Sequence, residues 1–328
     1  MDDTNAILDI VRPFLGEWGI NPQTIKLVSH SENIVYKVLA DDNQQYALRV
    51  HRPGYHTLDE LNAEQLWTSA LYSYGISVPK VVRRANGEYY KAIEVKGAIR
   101  YVGMVEWLNG QVLYDKLEQS TNAKTLTSSF VELGIIMART HNQASSWDVP
   151  TTFRRHHWNV EGFFGSSPHW GRFWEVPQLD AEQEAVVLAV KEFLVQRLSS
   201  YGERPETYSM IHADMHHGNV MVDEESMTVI DFDDAGFGWH LYDIAVAIYH
   251  YQDSDNFPTI QAAIIEGYRK KRELTVEDVE LLPVFLLLRN VAILGWVHGR
   301  PELDHGDRIP SIVNSIRGYA ELLGIGCA

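Results

Sequence analysis

The sequence predicts an α+β fold with two lobes, a small antiparallel sheet followed by a larger helical part. Residues 25–108 contain short apolar runs separated by turns, whereas the chain after Gly110 has mainly long amphipathic segments. A chain of 328 residues also exceeds the size at which one hydrophobic core usually stops growing. We therefore predict a first lobe over residues 1–107 and a second lobe over residues 108–328.

In the first lobe, short strands surround one main helix. Residues 4–18 have the spacing of apolar side chains that is typical of a helix. Residues 58–75 have a second helical pattern, which ends at Gly75, a frequent C-terminal cap. Strands are predicted over the runs IKLVS, NIVYKVLA, YALRVH, VPKVVR, YYKAIEV and AIRYVGMVEWL.

The second lobe is predicted to consist mainly of helices. Amphipathic helices are expected over residues 123–143 and 180–202, separated by an irregular aromatic segment over residues 147–177. The apolar segment 281–297 contains a proline, an arginine and an asparagine, so its uninterrupted apolar length is too short for a membrane span. We predict that it is a buried helix.

Composition and charge restrict the class of protein. The formal net charge of −16 disfavours nucleic-acid and anionic-membrane partners and favours cationic ones. The single cysteine, Cys327, allows neither an intrachain disulfide nor a cysteine metal site, which fits a reducing compartment. The N-terminus lacks the pattern of a secretory signal. We expect a cytoplasmic protein, and the sequence does not predict its oligomeric state.

One segment carries a pattern of polar residues with a specific chemistry. His212, Asp214 and Asn219 follow the spacing H-x-D-x-x-x-x-N, and Asp231 comes twelve residues later at the end of an apolar run. A predicted hairpin between Asn219 and Asp231 would bring their oxygens to the same end, where they could hold Mg²⁺. Asp214 would accept a proton from a hydroxyl. These are the parts of a phosphoryl-transfer site.

The chain resembles the aminoglycoside phosphotransferase and choline kinase family, which has a protein-kinase-like fold. The block HADMHHGNVMV…VIDFDD carries the resemblance, and GISVPKVV, MVEWLNG, LGIIMARTH and LYDIA follow further family motifs in the family's order. The similarity is greatest to a branch that contains homoserine-kinase type II, hydroxylysine-kinase-like and bacterial stress-response Ser/Thr kinase proteins. It implies an enzyme that uses ATP and Mg²⁺ to phosphorylate a hydroxyl group.

The resemblance also implies roles for residues of the second lobe. Asp214 matches the catalytic base, and Asn219 and Asp231 match the metal ligands. His212 matches the histidine that positions the loop backbone. Asp243 matches a buried aspartate that supports this loop from below, although it could also act only as a helix cap.

In the first lobe, the resemblance implies a nucleotide site. Arg49 stands where lysine is commonest and would orient the phosphates, held by Glu64 on the main helix. The phosphate loop would be SHSEN, without glycine, and the hinge would bind adenine through the carbonyl of Glu106 and the N–H of Leu108. The cofactor-binding residues expected in addition to Arg49 and Glu64 are Ser29, Ser31, Asn33, Val105, Glu106 and Leu108.

Several alternatives stay open at this point. His212, Asp214 and His216 also have a spacing that suits zinc, but that interpretation leaves Asn219 and Asp231 unexplained. Within the kinase interpretation, the acceptor could be a small amino alcohol, amino acid or aminoglycoside, or a Ser/Thr residue of a protein. A nucleotide-binding pseudokinase is the third alternative. The candidates for lining a substrate cleft are Asp233, His216, Trp158 and Trp170.

Overall fold

The computed structural model describes residues 4–31, 33–120, 122–224, 226–301 and 305–326. Cys327, Glu32 of the predicted phosphate loop and Glu225 of the predicted hairpin turn lie outside these residues. An antiparallel sheet and long helices are both present, so the predicted α+β class is confirmed.

The first part of the chain forms the expected sheet and helices. A short 3₁₀-helix over Arg12–Trp18 follows the first α-helix, because Pro13 lacks an N–H for the α-helical pattern. The elements are α1 (Thr4–Val11), β1 (Pro22–His30), β2 (Ile34–Ala40), β3 (Gln45–Val50), α2 (Leu58–Ser73), β4 (Lys91–Val95), β5 (Ala98–Glu106) and β6 (Gln111–Val112).

The later part of the chain is mainly helical. Its elements are α3 (Leu113–Glu118), α4 (Ala123–Ser146), β7 (His157–Trp158), α5 (Val160–Phe164), α6 (Ala181–Tyr201), β8 (Tyr208–Ile211), β9 (Val220–Val222), β10 (Met227–Val229), β11 (Gly236–Trp239), α7 (His240–Ile248), α8 (Phe257–Arg269), α9 (Val276–Glu280), α10 (Leu282–His298) and α11 (Ile309–Leu322).

The chain divides into two compact units. The first unit contains Met1–Gln111, Val149–Arg154 and Met221–Asp233. The second unit contains Val112–Asp148, Arg155–Val220 and Asp234–Ala328. The segment with β10 and Asp231 therefore belongs to the unit that holds the large sheet, although it comes late in the sequence.

The first unit is built on a five-stranded antiparallel sheet in the order β1-β2-β3-β5-β4. The alternation in β2 buries Ile34, Tyr36 and Val38 on one face, as the period of a strand requires. Side chains of the N-terminal helical segment, including Ile7 and Leu15, pack on that face. This core fixes the position of β3.

One predicted strand of the first unit is wrong. The run VPKVVR forms a single β-bridge, between Val81 and Val105, in place of a strand. Pro79 cannot donate a hydrogen bond to a neighbouring strand, which disfavours a regular ladder there.

The second unit packs helices around a small sheet. In the order β7-β11-β8, β11 pairs parallel to β7 and antiparallel to β8. Helices α4 and α8 approach closely because Gly134 and Gly267 have no side chain. A Cβ atom at either position would collide with the backbone of the opposite helix. Strand β8 leads directly into the segment that begins at His212.

Helix α10 is the buried helix predicted from the apolar segment 281–297. The stretch Val276–His298 is long and apolar enough to cross a membrane, but 78% of its apolar window is buried inside the protein. Arg289 and Asn290 lie on this helix and are themselves buried. The segment therefore has the burial of a core helix, with two polar side chains that need partners.

Candidate active site

The loop over residues 212–219 is fixed by a buried carboxylate. Asp243, in the first turn of α7, accepts hydrogen bonds from the backbone N–H groups of His212 at 3.0 Å and Ala213 at 2.7 Å. The Nε2 atom of His141 lies 3.0 Å from the same carboxylate. Ala213 has a φ of +64°, which is unfavourable for a residue with a Cβ and needs such support. Burial raises the pKa of Asp243 to about 6.

The next residue of this loop, Asp214, has its carboxylate oriented by two donors. The Nη2 atom of Arg289 lies 2.7 Å from Oδ1, and Nδ2 of Asn219 donates to Oδ2 at 2.8 Å. Nε2 of His216 is 3.4 Å from Oδ2. Burial raises the pKa of Asp214, but His216 and Arg289 outweigh burial and hold the pKa well below its usual range. The carboxylate is ionised and can accept a hydrogen bond from a hydroxyl.

Asn219 directly precedes β9, and its side-chain amide is oriented by hydrogen bonds to Asp214. Its Nδ2 atom donates both to the carboxylate of Asp214 and to the carbonyl of that residue, at 2.9 Å. The amide oxygen is therefore the atom that Asn219 can offer to a cation. Strands β9 and β10 are neighbours in one sheet, and Asp231 follows the end of β10 by two residues.

The histidines of this loop have different surroundings. His216 accepts a hydrogen bond from the N–H of Gly218 at 2.9 Å and contacts Asp214. His217 is buried and stacks on Tyr114, with a centroid distance of 5.2 Å. Burial, followed by the charge of His216, lowers the pKa of His217 to about 4. His217 is a packing residue.

The zinc alternative requires several metal-ligating side chains close together around these histidines. Among the residues that the structure describes, no group of three His, Cys, Asp or Glu side chains could hold a metal ion. Mg²⁺ requires fewer protein ligands, because it keeps several waters and substrate phosphates in its coordination shell. Asn219 offers an amide oxygen and Asp231 a carboxylate, and each is an oxygen donor of the kind that Mg²⁺ prefers.

In the first unit, Arg49 is held on β3 by two aspartates. Its strand position is opposite Val35 on β2 and Gly103 on β5. The Nη2 atom lies 2.8 Å from Oδ1 of Asp231 and 3.3 Å from Oδ1 of Asp233. Burial lowers the pKa of Arg49, but these carboxylates outweigh it and raise the pKa above its ordinary value, so the guanidinium stays charged.

The two aspartates differ in exposure. The side chain of Asp231 is 46% exposed, and the residue has a φ of +62°, an unusual conformation for an aspartate. Glu64 is buried on α2 and contributes to the raised pKa of Arg49. The exposed carboxylate of Asp231 can reach solvent or a ligand while it contacts Arg49.

The prediction that Asp233 lines a substrate cleft does not fit its environment. Its side chain is 9% exposed and accepts a hydrogen bond from Nδ2 of Asn33 at 3.1 Å. His51 and His56 each place a ring nitrogen 3.7 Å from Oδ1. Burial raises the pKa of Asp233, but Arg49 and His51 hold it well below its usual range. Asp233 is an internal anchor for Arg49.

One residue of the predicted phosphate loop, Asn33, is hydrogen-bonded to Asp233. Besides its bond to Asp233, Asn33 accepts a hydrogen bond through Oδ1 from the backbone N–H of Arg52 at 2.9 Å. Ser29, the last residue but one of β1, is exposed, as is Ser31. Within this loop, the serines are accessible to a ligand, whereas the amide of Asn33 is used inside the protein.

The predicted hinge lies at the end of β5. Val105 pairs with Ala47 on β3, and Glu106 is the last residue of the strand. The N–H of Glu106 donates to the carbonyl of Lys80 at 2.8 Å, and the N–H of Trp107 donates to the carbonyl of Gln45 at 3.0 Å. The Glu106 carbonyl and the Leu108 N–H lie beside these contacts in the sequence, and their role in binding adenine stays a prediction.

The aromatic cleft candidates are mostly buried. Trp158 is fully buried, and its indole N–H donates to the carbonyl of Asp234 at 2.8 Å. Trp170 is 5% exposed, and its N–H donates to Oδ1 of Asp234 at 3.3 Å. The prediction that Trp158 lines a cleft is therefore corrected: its side chain is part of the buried core of the second unit.

The sequence-based prediction missed Arg289, which contacts Asp214. A guanidinium in an otherwise apolar helix must find a partner, since burying an unpaired charge is costly. Its other contacts are the hydroxyl of Tyr242, at 3.4 Å, and the face of Trp170, whose centroid lies 4.9 Å from the guanidinium carbon. The lone charge in the apolar segment was the available signal, but its partner could not be derived from it.

The fold and these groups define a class of protein. One unit carries an antiparallel sheet with a charged arginine held by aspartates, and the other carries an ionised aspartate and an asparagine on a supported loop. These are features of a phosphotransferase with a kinase-like fold.

The chain belongs to the phosphotransferase enzyme family, whose family model matches residues 24–277. Amicoumacin kinase of Bacillus subtilis (strain 168) is 27% identical over 292 residues, which cover 86% of this chain and 82% of that protein. The resemblance inferred from the motifs is thus confirmed. The protein is a kinase that phosphorylates a hydroxyl group of a small molecule.

Solved structures agree with this assignment. A microcompartment-associated aminopropanol kinase matches with a TM-score of 0.82 and 28% identity, over 98% of this chain and all of that one. The amicoumacin kinase hAmiN, in complex with AMP-PNP, Ca²⁺ and Ami, matches with a TM-score of 0.79 over 98% of this chain and 94% of that one. At 23% identity, the latter match shows the fold alone.

Proposed function

We propose that this kinase transfers the γ-phosphoryl group of ATP, in the presence of Mg²⁺, to a hydroxyl of a small cationic molecule. The observation that carries the proposal is the ionised carboxylate of Asp214, oriented by Arg289 and Asn219 on a loop that Asp243 supports. A cytoplasmic location, where ATP is abundant, is part of the proposal.

The proposed chemistry assigns one task to each group. The acceptor oxygen forms a bond to the γ-phosphorus while the bond from that phosphorus to the bridging oxygen breaks, and ADP leaves. Asp214 orients the acceptor hydroxyl and takes its proton. Arg49, supported by Asp233 and by Glu64, orients the phosphates, with the adenine at the hinge residues Val105, Glu106 and Leu108.

Asn219 and Asp231 are the proposed ligands of Mg²⁺. The metal would neutralise negative charge on the phosphates when it is bound. The amide oxygen of Asn219 supports this assignment, because its Nδ2 atom is committed to Asp214. The exposed carboxylate of Asp231 supports it as well, because it combines access to solvent with a fixed position beside Arg49.

The proposal of a cationic acceptor is supported by charge and by relatives. The net charge of −16 attracts cations and repels anionic acceptors. Two similar proteins are named for acceptors called amicoumacin and aminopropanol. We favour amino alcohols, amino acids and aminoglycosides over neutral sugars as the acceptor class of this chain.

A panel of acceptors tests this proposal. Purified protein with Mg-ATP is assayed for ADP release and for the phosphorylated product with ethanolamine, 1-amino-2-propanol, homoserine and kanamycin. The matched neutral compounds are 1,2-propanediol and glucose. We expect the highest kcat/KM with one of the amine-bearing compounds. Phosphorylation of only the neutral compounds, or of only proteins in a lysate, would contradict the proposal.

The contact between Arg289 and Asp214 gives a second test. Arg289→Met removes the donor that orients Asp214, so we expect kcat to fall by about 10- to 100-fold, the range for loss of a hydrogen bond to a charged group. KM for ATP should change little. Arg289→Lys, which keeps the charge, should recover part of kcat, while thermal melting checks folding. Equal kcat values for Arg289→Met and the unchanged protein would exclude the positioning role.

A further inference from the structure

Asp234 carries a fixed carboxylate in the second unit that has no role in the mechanism proposed above. Its backbone carbonyl accepts hydrogen bonds from Nε1 of Trp158 at 2.8 Å and Nε2 of His156 at 3.1 Å. Its Oδ1 atom accepts a hydrogen bond from Nε1 of Trp170 at 3.3 Å. The side chain nevertheless remains 15% exposed. The carboxylate is thus held in one orientation and still reaches solvent.

Aromatic rings surround this carboxylate. His169 places Nε2 4.0 Å from Oδ1 and stacks on His156 with a centroid distance of 3.8 Å. Trp158 contacts His169 at 4.8 Å and Trp170 at 5.1 Å between centroids. We refer to Asp234, His156, Trp158, His169 and Trp170 as the Asp234 cluster. The carboxylate is a partner for an organic ammonium group, and the ring of His169 beside it is also accessible, with 17% of its side chain exposed.

The Asp234 cluster adjoins the proposed catalytic base. Trp170 connects the two, because its ring lies 4.9 Å from the guanidinium carbon of Arg289, and that guanidinium is 2.7 Å from Asp214. The hydroxyl of Tyr242 is 3.4 Å from the same guanidinium. Burial raises the pKa of Tyr242 to about 12; the charge of Arg289 lowers the pKa, and the charges of Asp214 and Asp234 raise it.

The charges in this region are compatible with a cationic ligand. The guanidinium of Arg289 is matched by the carboxylate of Asp214 at hydrogen-bond distance. An ammonium group at Asp234 would therefore face a neutralised pair and not an isolated cation. Within this pair the side chain of Arg289 is 3% exposed, whereas that of Asp214 is 21% exposed and can meet an acceptor hydroxyl. Asp234, 15% exposed, is a second accessible carboxylate of this region.

We propose that Asp234 binds the ammonium group of the acceptor and thereby places the acceptor hydroxyl near Asp214. The inference rests on the proposed phosphotransfer to cationic acceptors and names the residue that recognises the cation. Trp170 holds the carboxylate of Asp234 through its N–H. Specificity for amines over neutral alcohols then comes from one carboxylate.

Asp234→Asn separates this role from a structural one. The substitution keeps an oxygen that can accept the hydrogen bond from Trp170, and it removes the negative charge. We expect KM for 1-amino-2-propanol to rise by about 10- to 100-fold, as for other hydrogen bonds between charged groups. KM for ATP should stay the same. For 1,2-propanediol, measured as substrate or as competitive inhibitor, the change should be less than about threefold.

Two further variants complete the comparison. Asp234→Glu keeps the charge and should retain a lower KM for 1-amino-2-propanol than Asp234→Asn, which tests the role even if the asparagine variant folds poorly. Asp255→Asn removes an exposed carboxylate of the same unit and should leave the kinetics unchanged. Thermal melting of each variant monitors folding.

The outcomes distinguish the two proposals. An unchanged KM for 1-amino-2-propanol in Asp234→Asn overturns the role of Asp234 and leaves the phosphotransfer intact. An equal loss for the amine and the diol assigns Asp234 a structural role and also overturns the inference. Failure of the unchanged protein to phosphorylate any amine of the panel overturns the cationic acceptor itself, and with it the inference.

Discussion

Asp214→Asn is expected to abolish turnover, with kcat reduced by at least about 10²- to 10⁴-fold, the usual contribution of a general base. The amide has nearly the shape of the carboxylate but cannot take a proton. In the native protein Arg289 and Asn219 each donate to one carboxylate oxygen of Asp214. In the variant the NH₂ group replaces one of these oxygens, so one of the two donors faces another donor. The acceptor hydroxyl then loses both its proton acceptor and its orientation.

The affinity for ATP should remain close to normal in this variant, because Asp214 contacts the acceptor and not the nucleotide in the proposed mechanism. Steady-state kinetics and calorimetric titration with Mg-ATP measure the two quantities separately. Asp148→Asn, at an exposed position of the same unit, is the matched control. Full activity of Asp214→Asn would falsify the assignment of the base.

Asp231→Asn is expected to weaken the binding of Mg-ATP itself. The carboxylate is the charged ligand in the proposed metal set, and it also holds the guanidinium of Arg49 at 2.8 Å. Loss of its charge removes one favourable interaction with the cation and loosens the group that orients the phosphates. We expect Kd for Mg-ATP to rise at least about tenfold, which corresponds to about 1.4 kcal/mol.

Titration with ATP at several Mg²⁺ concentrations tests this second prediction. The defect should decrease as the Mg²⁺ concentration increases, because a weaker site is filled by mass action. Glu94→Gln removes an exposed carboxylate from the sheet of the same unit and serves as the control. Unchanged nucleotide affinity in Asp231→Asn at all Mg²⁺ concentrations would count against the metal role.

The errors of the sequence-based prediction have physical explanations. The run VPKVVR has the apolar pattern of a strand, but Pro79 has no N–H to donate to a neighbouring strand, and only a single β-bridge forms. Asp233 is a cleft candidate in the sequence-based prediction, but its side chain is 9% exposed in the structure. Its hydrogen-bond partner Asn33 lies 200 residues earlier in the chain, and no local pattern reveals such a pair.

The sequence by itself determined the features that depend on neighbouring residues. The alternation of β2 and the fixed spacing from His212 to Asn219 follow from short-range geometry, because strand periods and tight loops are set by adjacent residues. The run of apolar residues around Arg289 was likewise enough to predict a buried helix. These local features allowed the α+β class and the family to be recognised.

The tertiary structure alone decided which charges meet. Arg49 contacts Asp231 across 182 residues of sequence, and Arg289 contacts Asp214 across 75. Such pairs depend on how the strands and helices pack, and the residues next to a charged side chain do not indicate which distant residue it will contact. The position of Asp234 among the aromatic rings has the same origin, because packing selects a few contacts from many that the composition allows.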